Sequence, residues 1–327
     1  MTAAVRRALW PLSLAYSAGT ALRRVAYDRG LRRVERLAVP VVSVGNLTVG
    51  GTGKTPLVIW LVEQARLAGR RPGVLARGYG RAKGAALNDE GALLAARFPD
   101  LPQVQDPDRV AGGRRLCAVG DVDLVILDDG FQHRRLHRDL DLVCVDAREP
   151  FDGGLQLPAG DLRESPRALR RADAVVLTRA SRASPIELAD CVRRVVGAAG
   201  RALPVHAADH RALDLVERPS GQSLPLDALA ARRVHLLSAI ARPATFAETV
   251  AALGATVVRH RIEADHHIHD PAVVRRLADA AAQDRALLIV TEKDEVKLHG
   301  LDVPRLVLRI ALRFRDEPPD LGRLGIA

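Results

Sequence analysis

From residue 41 onward, short, uniformly apolar runs alternate with longer stretches of helical periodicity. Val41 to Val44 after Pro40, Gly73 to Ala76, Asp123 to Asp128, Asp141 to Asp146 and Ala174 to Thr178 predict buried strands. Between them, the segment starting at Thr55-Pro56 with Leu57, Val58, Leu61 and Val62 predicts a helix that stops near Ala68-Gly69. Ala92 to Phe98 and Pro185 to Val196 predict two more. Strand and helix in alternation through residue 205 specify an α/β fold, a mostly parallel sheet with helices on both faces. Between 211 and 230 the pattern weakens into Pro219-Ser-Gly221 and Pro225, the best boundary in the chain. A second series follows: strands Val234 to Ile240, Thr256 to His260, Leu287 to Thr291 and Arg305 to Ile310, with helices Pro243 to Leu253 and Pro271 to Ala282. The expected organisation is an N-terminal region (1–36), a main domain (37–215), a linker (216–230) and a smaller C-terminal α/β domain (231–327).

The N-terminal region imitates a signal peptide: Arg6-Arg7, an apolar run from Ala8 to Ala18, then small residues. Pro11 interrupts the run, which is shorter than the roughly 20 residues a membrane span needs. Arg23, Arg24, Arg29, Arg32, Arg33 and Arg36 follow it. Leu14, Ala18, Ala21, Leu22 and Val25 share a helical face, off which Arg23 and Arg24 fall. Two readings stand: a helix lying in an anionic membrane surface, or a helix packed on a domain.

Composition narrows the classes. With 327 residues, 48% of them hydrophobic, the chain can bury a full core and form two domains. Cys117, Cys144 and Cys191 lie far apart with no pairing pattern and are expected to be reduced, as in a cytosolic protein. The net charge of +10 invites nucleic acid, but aromatics are 3% and no basic helix carries stacking residues. Phosphates or anionic lipid suit the charge as well.

The richest chemistry sits between the first strand and the first long helix, in Gly45-Asn-Leu-Thr-Val-Gly-Gly-Thr-Gly-Lys-Thr-Pro56. Thr48, Val49, Gly50, Gly51, Thr52, Gly53, Lys54 and Thr55 form the candidate nucleotide site. The glycines let backbone N–H groups face a polyphosphate at a helix N-terminus, Lys54 reaches the β/γ-phosphates, and the Thr55 hydroxyl holds Mg²⁺. The general phosphate-loop pattern wants Gly where Thr48 stands. ParA/MinD-type ATPases have a similar loop, with a Lys where this chain has Val49.

Further along, Asp128 and Asp129 end an apolar strand, and adjacent carboxylates there are metal candidates in phosphate-loop enzymes. Burying both without a cation would cost several kcal/mol. Arg77-Gly-Tyr-Gly-Arg81 offers a phosphate clamp or a solvated turn. Asp89, in Asn88-Asp-Glu-Gly91, is an N-cap or a general base. Arg163 is a phosphoryl stabiliser or half of a surface pair with Glu164. His133 and His137 read as surface or supporting histidines. Of His266, His267 and His269, neighbours 266 and 267 point apart and no Cys completes a zinc set, so one His beside Asp265 acting as acid/base or orienter is preferred. Thr291-Glu-Lys-Asp294 faintly resembles the guanine-reading N-K-x-D of GTPases.

Taken in order, Ser43 to Pro56, Arg77 to Arg81, Asp128-Asp-Gly-Phe-Gln-His133, Leu157-Pro-Ala-Gly-Asp-Leu-Arg-Glu164, Asp265-His266 and Thr291 to Asp294 resemble the tetraacyldisaccharide 4′-kinases of lipid A biosynthesis. Pro-Leu-Ser-Leu-Ala-Tyr16 and Arg-Gly-Leu31 join the set, and Thr48 is at home in this family. The resemblance implies a P-loop NTPase-like kinase that moves the ATP γ-phosphate to the 4′-hydroxyl of an acylated glucosamine disaccharide 1-phosphate. It implies ATP and Mg²⁺ as cofactors and peripheral attachment to the cytoplasmic face of the inner membrane. The C-terminal domain is expected to close the active-site cleft, with no nucleic acid and no obligate protein partner. The family's catalytic Asp, in Gly-Asp-Glu-Pro, falls on Asp89 with both flanking residues changed, and its catalytic His falls on His266. Lys54, Thr55, Asp128, Asp129 and Arg163 would then serve the phosphate, and Asp89 with His266 the acceptor hydroxyl. The rival reading is a nucleotide-switched ATPase or GTPase with a protein or membrane partner.

Overall fold

The computed structural model describes residues 3–80, 86–119, 121–265, 267–298 and 300–326. The chain opens with helix α1 (Ala3–Asp28), strand β1 (Val41–Asn46), α2 (Lys54–Leu67) and β2 (Pro72–Ala76). Then come α3 (Asp89–Arg97), β3 (Gln103–Gln105), α4 (Arg109–Ala118), β4 (Leu124–Asp128), β5 (Leu140–Asp146), β6 (Ala174–Thr178) and α5 (Pro185–Ala199). The remainder is β7 (Val205–Arg218), β8 (Ser223–Leu224), β9 (Arg233–Ser238), α6 (Pro243–Ala252), β10 (Thr256–Ile262), α7 (Pro271–Gln283), β11 (Leu287–Thr291), α8 (Glu292–Glu295) and β12 (Arg305–Phe314). No described helix is long and apolar enough to cross a membrane.

These elements form two compact units. One comprises Met1–Gly78, Leu101–His210 and Leu312–Ala327; the other comprises Tyr79–Asp100 and Arg211–Ala311. Both are discontinuous in sequence, unlike the linear partition that the pattern suggests.

In the first unit the strand order is β7-β6-β5-β1-β4-β2-β3, with neighbours parallel. β1, β4, β5 and β6 are buried at every residue, as expected of strands covered on both faces. Leu57, Val58, Leu61 and Val62 of α2 are buried where that helix packs on β1 and β4. Val110 and Leu116 of α4 cluster with Leu75, Val125 and Leu127. Cys191 and Val195 of α5 cluster with Val143, Val145, Val175 and Leu177. β1 is where the order reverses, with earlier crossovers building toward β3 and later ones toward β7. Open α/β sheets bind ligands beyond the carboxyl end of the strand at such a point.

Two close approaches fix the loop that leaves β1. A Cβ at Gly45 would lie 2.5 Å from Phe131 Cβ, so only glycine lets the β4 loop pass there. Gly130 N–H then donates to the Val44 carbonyl (3.0 Å), and Gln132 Nε2 to the Asn46 carbonyl (2.8 Å). Below the loop, Thr178 Oγ1 donates to the Thr52 carbonyl at 2.9 Å. Arg179, in the left-handed region at φ 56°, donates to the Gly51 carbonyl and pairs with Asp146. His210 lies under Gly53, where a Cβ would come within 2.7 Å of its Nε2. Burial, helped by the nearby charge of Arg179, lowers His210 to about 4.

The second unit has the order β10-β9-β11-β12-β7, with β10, β9, β11 and β12 parallel and β8 antiparallel to β7. Here the structure departs from the expected linker at 216–230. β7 continues to Arg218, turns back as β8, and buries Leu215 and Leu229 in the core with Val234, Leu236 and Ile289. Its half-exposed residues, among them Asp214 in a pair with Arg309, hide the strand from a search for apolar runs. Helix α3 belongs to this unit as well, tied by Arg97 to Glu292 (3.3 Å) and to the Ile310 carbonyl (3.0 Å).

Gly45→Ala is expected to cost about 1–3 kcal/mol through overpacking, read as a lower urea midpoint at unchanged slope. His210 produces a pH dependence with a definite sign. In the unfolded chain it takes a proton near pH 6.5, but in the fold not until about pH 4. Stability is therefore full above the upper value and falls as pH drops through this window, by about 3 kcal/mol at most. Urea melts at pH 7 and pH 4.5 should show a smaller difference for His210→Asn than for the parent.

Candidate active site

The glycine loop takes its shape from Gly50 (φ 95°) and Gly53 (φ 85°), conformations that L side chains rarely adopt. Gly53 is also the N-cap of α2 and supplies no side-chain cap, so the first N–H groups of a 14-residue helix are left for another acceptor. Anions are favoured at such an end. Val49 N–H donates to the Asp161 carbonyl (2.7 Å), while Thr48 bridges to Leu162; Thr48 and Thr52 are both buried. The loop is thus framed by the 157–164 segment on one side and by Thr178, Arg179 and His210 beneath.

Lys54, the first residue of α2, turns its ammonium to Asn46 Oδ1 (3.2 Å) and Asp129 Oδ1 (3.3 Å). Arg163 Nη1 donates to the other oxygen of Asp129 at 2.6 Å. Burial works to raise the Asp129 carboxyl, but the charges of Lys54 and then Arg163 overcome it and hold it below the usual carboxylate range. Asp129 adopts φ 52°, which turns the chain sharply out of β4. Three residues far apart in sequence, Lys54, Asp129 and Arg163, therefore meet at the loop.

Asp128, the last residue of β4, is buried and stands beside Val44 of β1. No group of three or more His, Cys, Asp or Glu able to hold a metal occurs among the described residues. Magnesium at a phosphate loop does not need one, since it takes one or two carboxylates together with substrate phosphates and water. The hard oxygen donors of Thr55 and Asp128 suit it. Asp129 is already occupied by two cations.

The remaining sequence candidates separate. Arg77 is exposed, with its charge felt by Arg109, and Arg81 lies outside the described residues. His133 is half-buried and lowered to about 4 by burial, then by Arg109 and Arg23 nearby. His137 pairs with Asp139 at 3.4 Å. The cap of α3 falls on Asn88, whose Oδ1 accepts from Gly91 N–H (3.0 Å), so Asp89 is not the cap. It is the first helical residue, and its Oδ2 lies 3.4 Å from Lys297 Nζ. His266 lies outside the described residues. His269 is buried and binds Asp294 Oδ1 (3.1 Å). Asp294 also accepts from Ala239 N–H (2.9 Å) and Thr291 Oγ1 (2.6 Å), a buried anchor rather than a reader of bases.

Three residues of the site give no motif signal. Arg109 opens α4, 5% exposed, with Nη1 donating to the Pro107 carbonyl (3.0 Å). Burial lowers its pKa, Arg77 adds to this, and Asp129 and Asp128 oppose it. Asp146 and Arg179 are findable, because each is a charged residue at or just after the carboxyl end of a buried strand, as Asp128 is.

A family profile described as Tetraacyldisaccharide-1-P 4′-kinase matches residues 5–323. A tetraacyldisaccharide 4′-kinase from Syntrophus aciditrophicus is 38% identical over 330 residues, covering 93% of this chain and 88% of its own. One from Anaeromyxobacter dehalogenans strain 2CP-C is 43% identical over 307 residues, covering 88% and 81%. Among solved structures, LpxK from Aquifex aeolicus in complex with ATP superposes with a TM-score of 0.77 at 30% identity, covering 96% of both chains. With the profile spanning nearly the whole chain and these relatives covering most of it, the chain belongs to the tetraacyldisaccharide 4′-kinase family of lipid A synthesis.

Proposed function

We propose that this kinase transfers the γ-phosphate of ATP to the 4′-hydroxyl of a tetraacylated glucosamine disaccharide 1-phosphate. The observation that carries the reading is the meeting of Lys54, Asp129 and Arg163 beside a glycine loop that opens a helix. Phosphoryl transfer asks a protein mainly for positioning and charge neutralisation. The loop from Thr48 to Thr55 binds the polyphosphate, and Lys54 moves between Asp129 and the β/γ-phosphates. Asp129 keeps that ammonium and the Arg163 guanidinium aimed at one place. Thr55 and Asp128 would hold Mg²⁺, which supplies neutralising charge to the phosphate oxygens.

A sugar hydroxyl is a poor nucleophile at neutral pH and needs a base as its bond to phosphorus forms. Asp89 has that role in this reading, held at the first turn of α3 and paired with Lys297. The role of His266 as its companion rests on the Asp265-His266 motif.

The acylated substrate brings the protein to a membrane, and α1 is built for one. Its buried side is polar: Ser13 Oγ donates to the Gln156 carbonyl (3.0 Å) and Tyr16 Oη to the Arg163 carbonyl (3.0 Å). Its exposed side carries Trp10, Leu14, Leu22 and Val25. A helix that packs by its polar side and leaves large apolar residues outside suits an anionic lipid surface, with the exposed Arg29 and Arg32 following it.

Transfer of ³²P from γ-labelled ATP to a tetraacyl disaccharide 1-phosphate in detergent micelles tests the activity. Lys54→Ala should lower the rate by about 10²–10³-fold or more. Asp89→Asn should lower kcat by about 10²–10⁴-fold with ATP affinity kept. A folded, ATP-binding protein that makes no phospholipid product would sink the substrate assignment, and a normal kcat in Asp89→Asn the base. For the helix, Trp10→Ser/Leu14→Ser/Leu22→Ser should sediment several-fold less with vesicles containing phosphatidylglycerol at unchanged Tm; equal sedimentation would leave only the packing role.

A further inference from the structure

The segment Thr291-Glu-Lys-Asp-Glu-Val-Lys297 finds no place in the phosphate chemistry, yet five of its seven residues are charged. Thr291 caps α8 by accepting from Asp294 N–H (3.2 Å) and donates its hydroxyl to the Asp294 carboxylate. With Ala239 N–H and His269 added, Asp294 is fully buried and hydrogen-bonded on several sides. Lys293 and Lys297, four residues apart, carry ammonium groups to carboxylates elsewhere in the unit. Lys293 meets Asp265 at 3.0 Å and Glu90 at 3.7 Å. Lys297 meets Asp89 at 3.4 Å and Asp294 at 3.6 Å, with its side chain 5% exposed.

We propose that Lys297 is a positioning residue for the kinase reaction, which fixes the carboxylate of Asp89 by holding it against the buried Asp294. The inference rests on the reading of Asp89 as the base. Two carboxylates share one ammonium, and without it they would repel. Which one yields follows from burial: the Asp294 side chain is 0% exposed, whereas that of Asp89 is 22% exposed. Asp89 would swing away, and small displacements of a reacting group are costly, on the order of 10²-fold per ångström. The ammonium is itself anchored, since Lys297 N–H donates to the Asp294 carbonyl (3.0 Å) and Nζ to the Ala239 carbonyl (3.4 Å). Lys293 does the same for Glu90, the next residue of α3, and for Asp265, which precedes His266. The turn from β11 into α8 is thus a pedestal for the carboxylates of Asp89, Glu90 and Asp265.

The test is steady-state kinetics of lipid phosphorylation by Lys297→Met, Lys297→Arg, Asp89→Asn and Asp89→Asn/Lys297→Met, with a thermal melt of each. Lys297→Met should lower kcat about 10- to 100-fold with KM for ATP unchanged, and Lys297→Arg should recover most of it. The double variant should be no slower than Asp89→Asn alone, because a positioning residue has nothing left to position. Full kcat in Lys297→Met, no recovery in Lys297→Arg, or losses that multiply in the double variant would each overturn the inference. If Asp89→Asn keeps full kcat the base assignment falls and takes this inference with it; if only Lys297→Met keeps it, this inference falls alone. Should Lys297→Met fail to fold, Lys297→Gln/Asp294→Asn removes one charge of each sign from the buried pair and is expected to lower kcat likewise; full kcat there overturns the proposal.

Discussion

The Asp129 carboxylate holds the first unit's site together. It is half-buried on a backbone turned to φ 52°, a conformation that costs a non-glycine residue about 1–2 kcal/mol. Charge balances that cost, with Lys54 on one oxygen and Arg163 on the other. Through those two partners it links elements that share no other logic. Lys54 opens α2, while Arg163 donates its N–H to the Leu47 carbonyl (2.7 Å) and accepts at its own carbonyl from Tyr16 of α1. The glycine loop, the β4 turn, the 157–164 segment and the N-terminal helix are four parts of one electrostatic unit. Loss of one partner would leave this half-buried acid with a single cation.

The support under the loop follows a different principle, one of space. Gly45 and Gly53 are required by what stands against them, Phe131 and His210, as well as by loop conformation. Thr178 and Arg179 hold the carbonyls of Thr52 and Gly51 from below, which turns acceptors away from the side where an anion would sit. Neutral His210 fills the gap without adding a charge. The loop is therefore shaped chiefly by how its acceptors are used up.

Local sequence pattern carries much of this site. β1, the loop and α2 announce themselves by a change of hydrophobic period across three glycines, and Asp128 and Asp129 by following an apolar run. Other elements are hidden from such a reading for identifiable reasons. Strand β7 alternates half-exposed residues and satisfies Asp214 by a distant arginine, so no local apolar run marks it. Helix α4 carries Gly112-Gly113 in its middle, a poor helical signal. Packing explains the pair, because a Cβ there would lie 2.9 Å from Leu75 Cδ1 or 2.7 Å from Leu37 Cδ1. The assignment of residues 79–100 to the second unit depends on partners near residues 292 and 310, which no local reading reaches.

Helix α1 inverts the usual order of an amphipathic helix, in which apolar residues seek the protein and polar ones the solvent. Here Ser13, Tyr16 and Arg23 face the protein, Arg23 donating to the Gln132 carbonyl at 3.0 Å, while Leu14, Leu22 and Val25 stay outside. The polar groups on the inner side are bound to backbone carbonyls of the 156–163 and 131–133 loops, so the helix reads the positions of those loops through hydrogen bonds rather than by apolar contact. Hydrogen bonds are directional and lose strength steeply with misalignment, so this seam ties the helix to a particular loop arrangement where an apolar seam would tolerate sliding. Through Tyr16 and the Arg163 carbonyl the helix is therefore hydrogen-bonded to the residue that grips Asp129, so the placement of α1 and that of the Lys54, Asp129 and Arg163 cluster depend on each other.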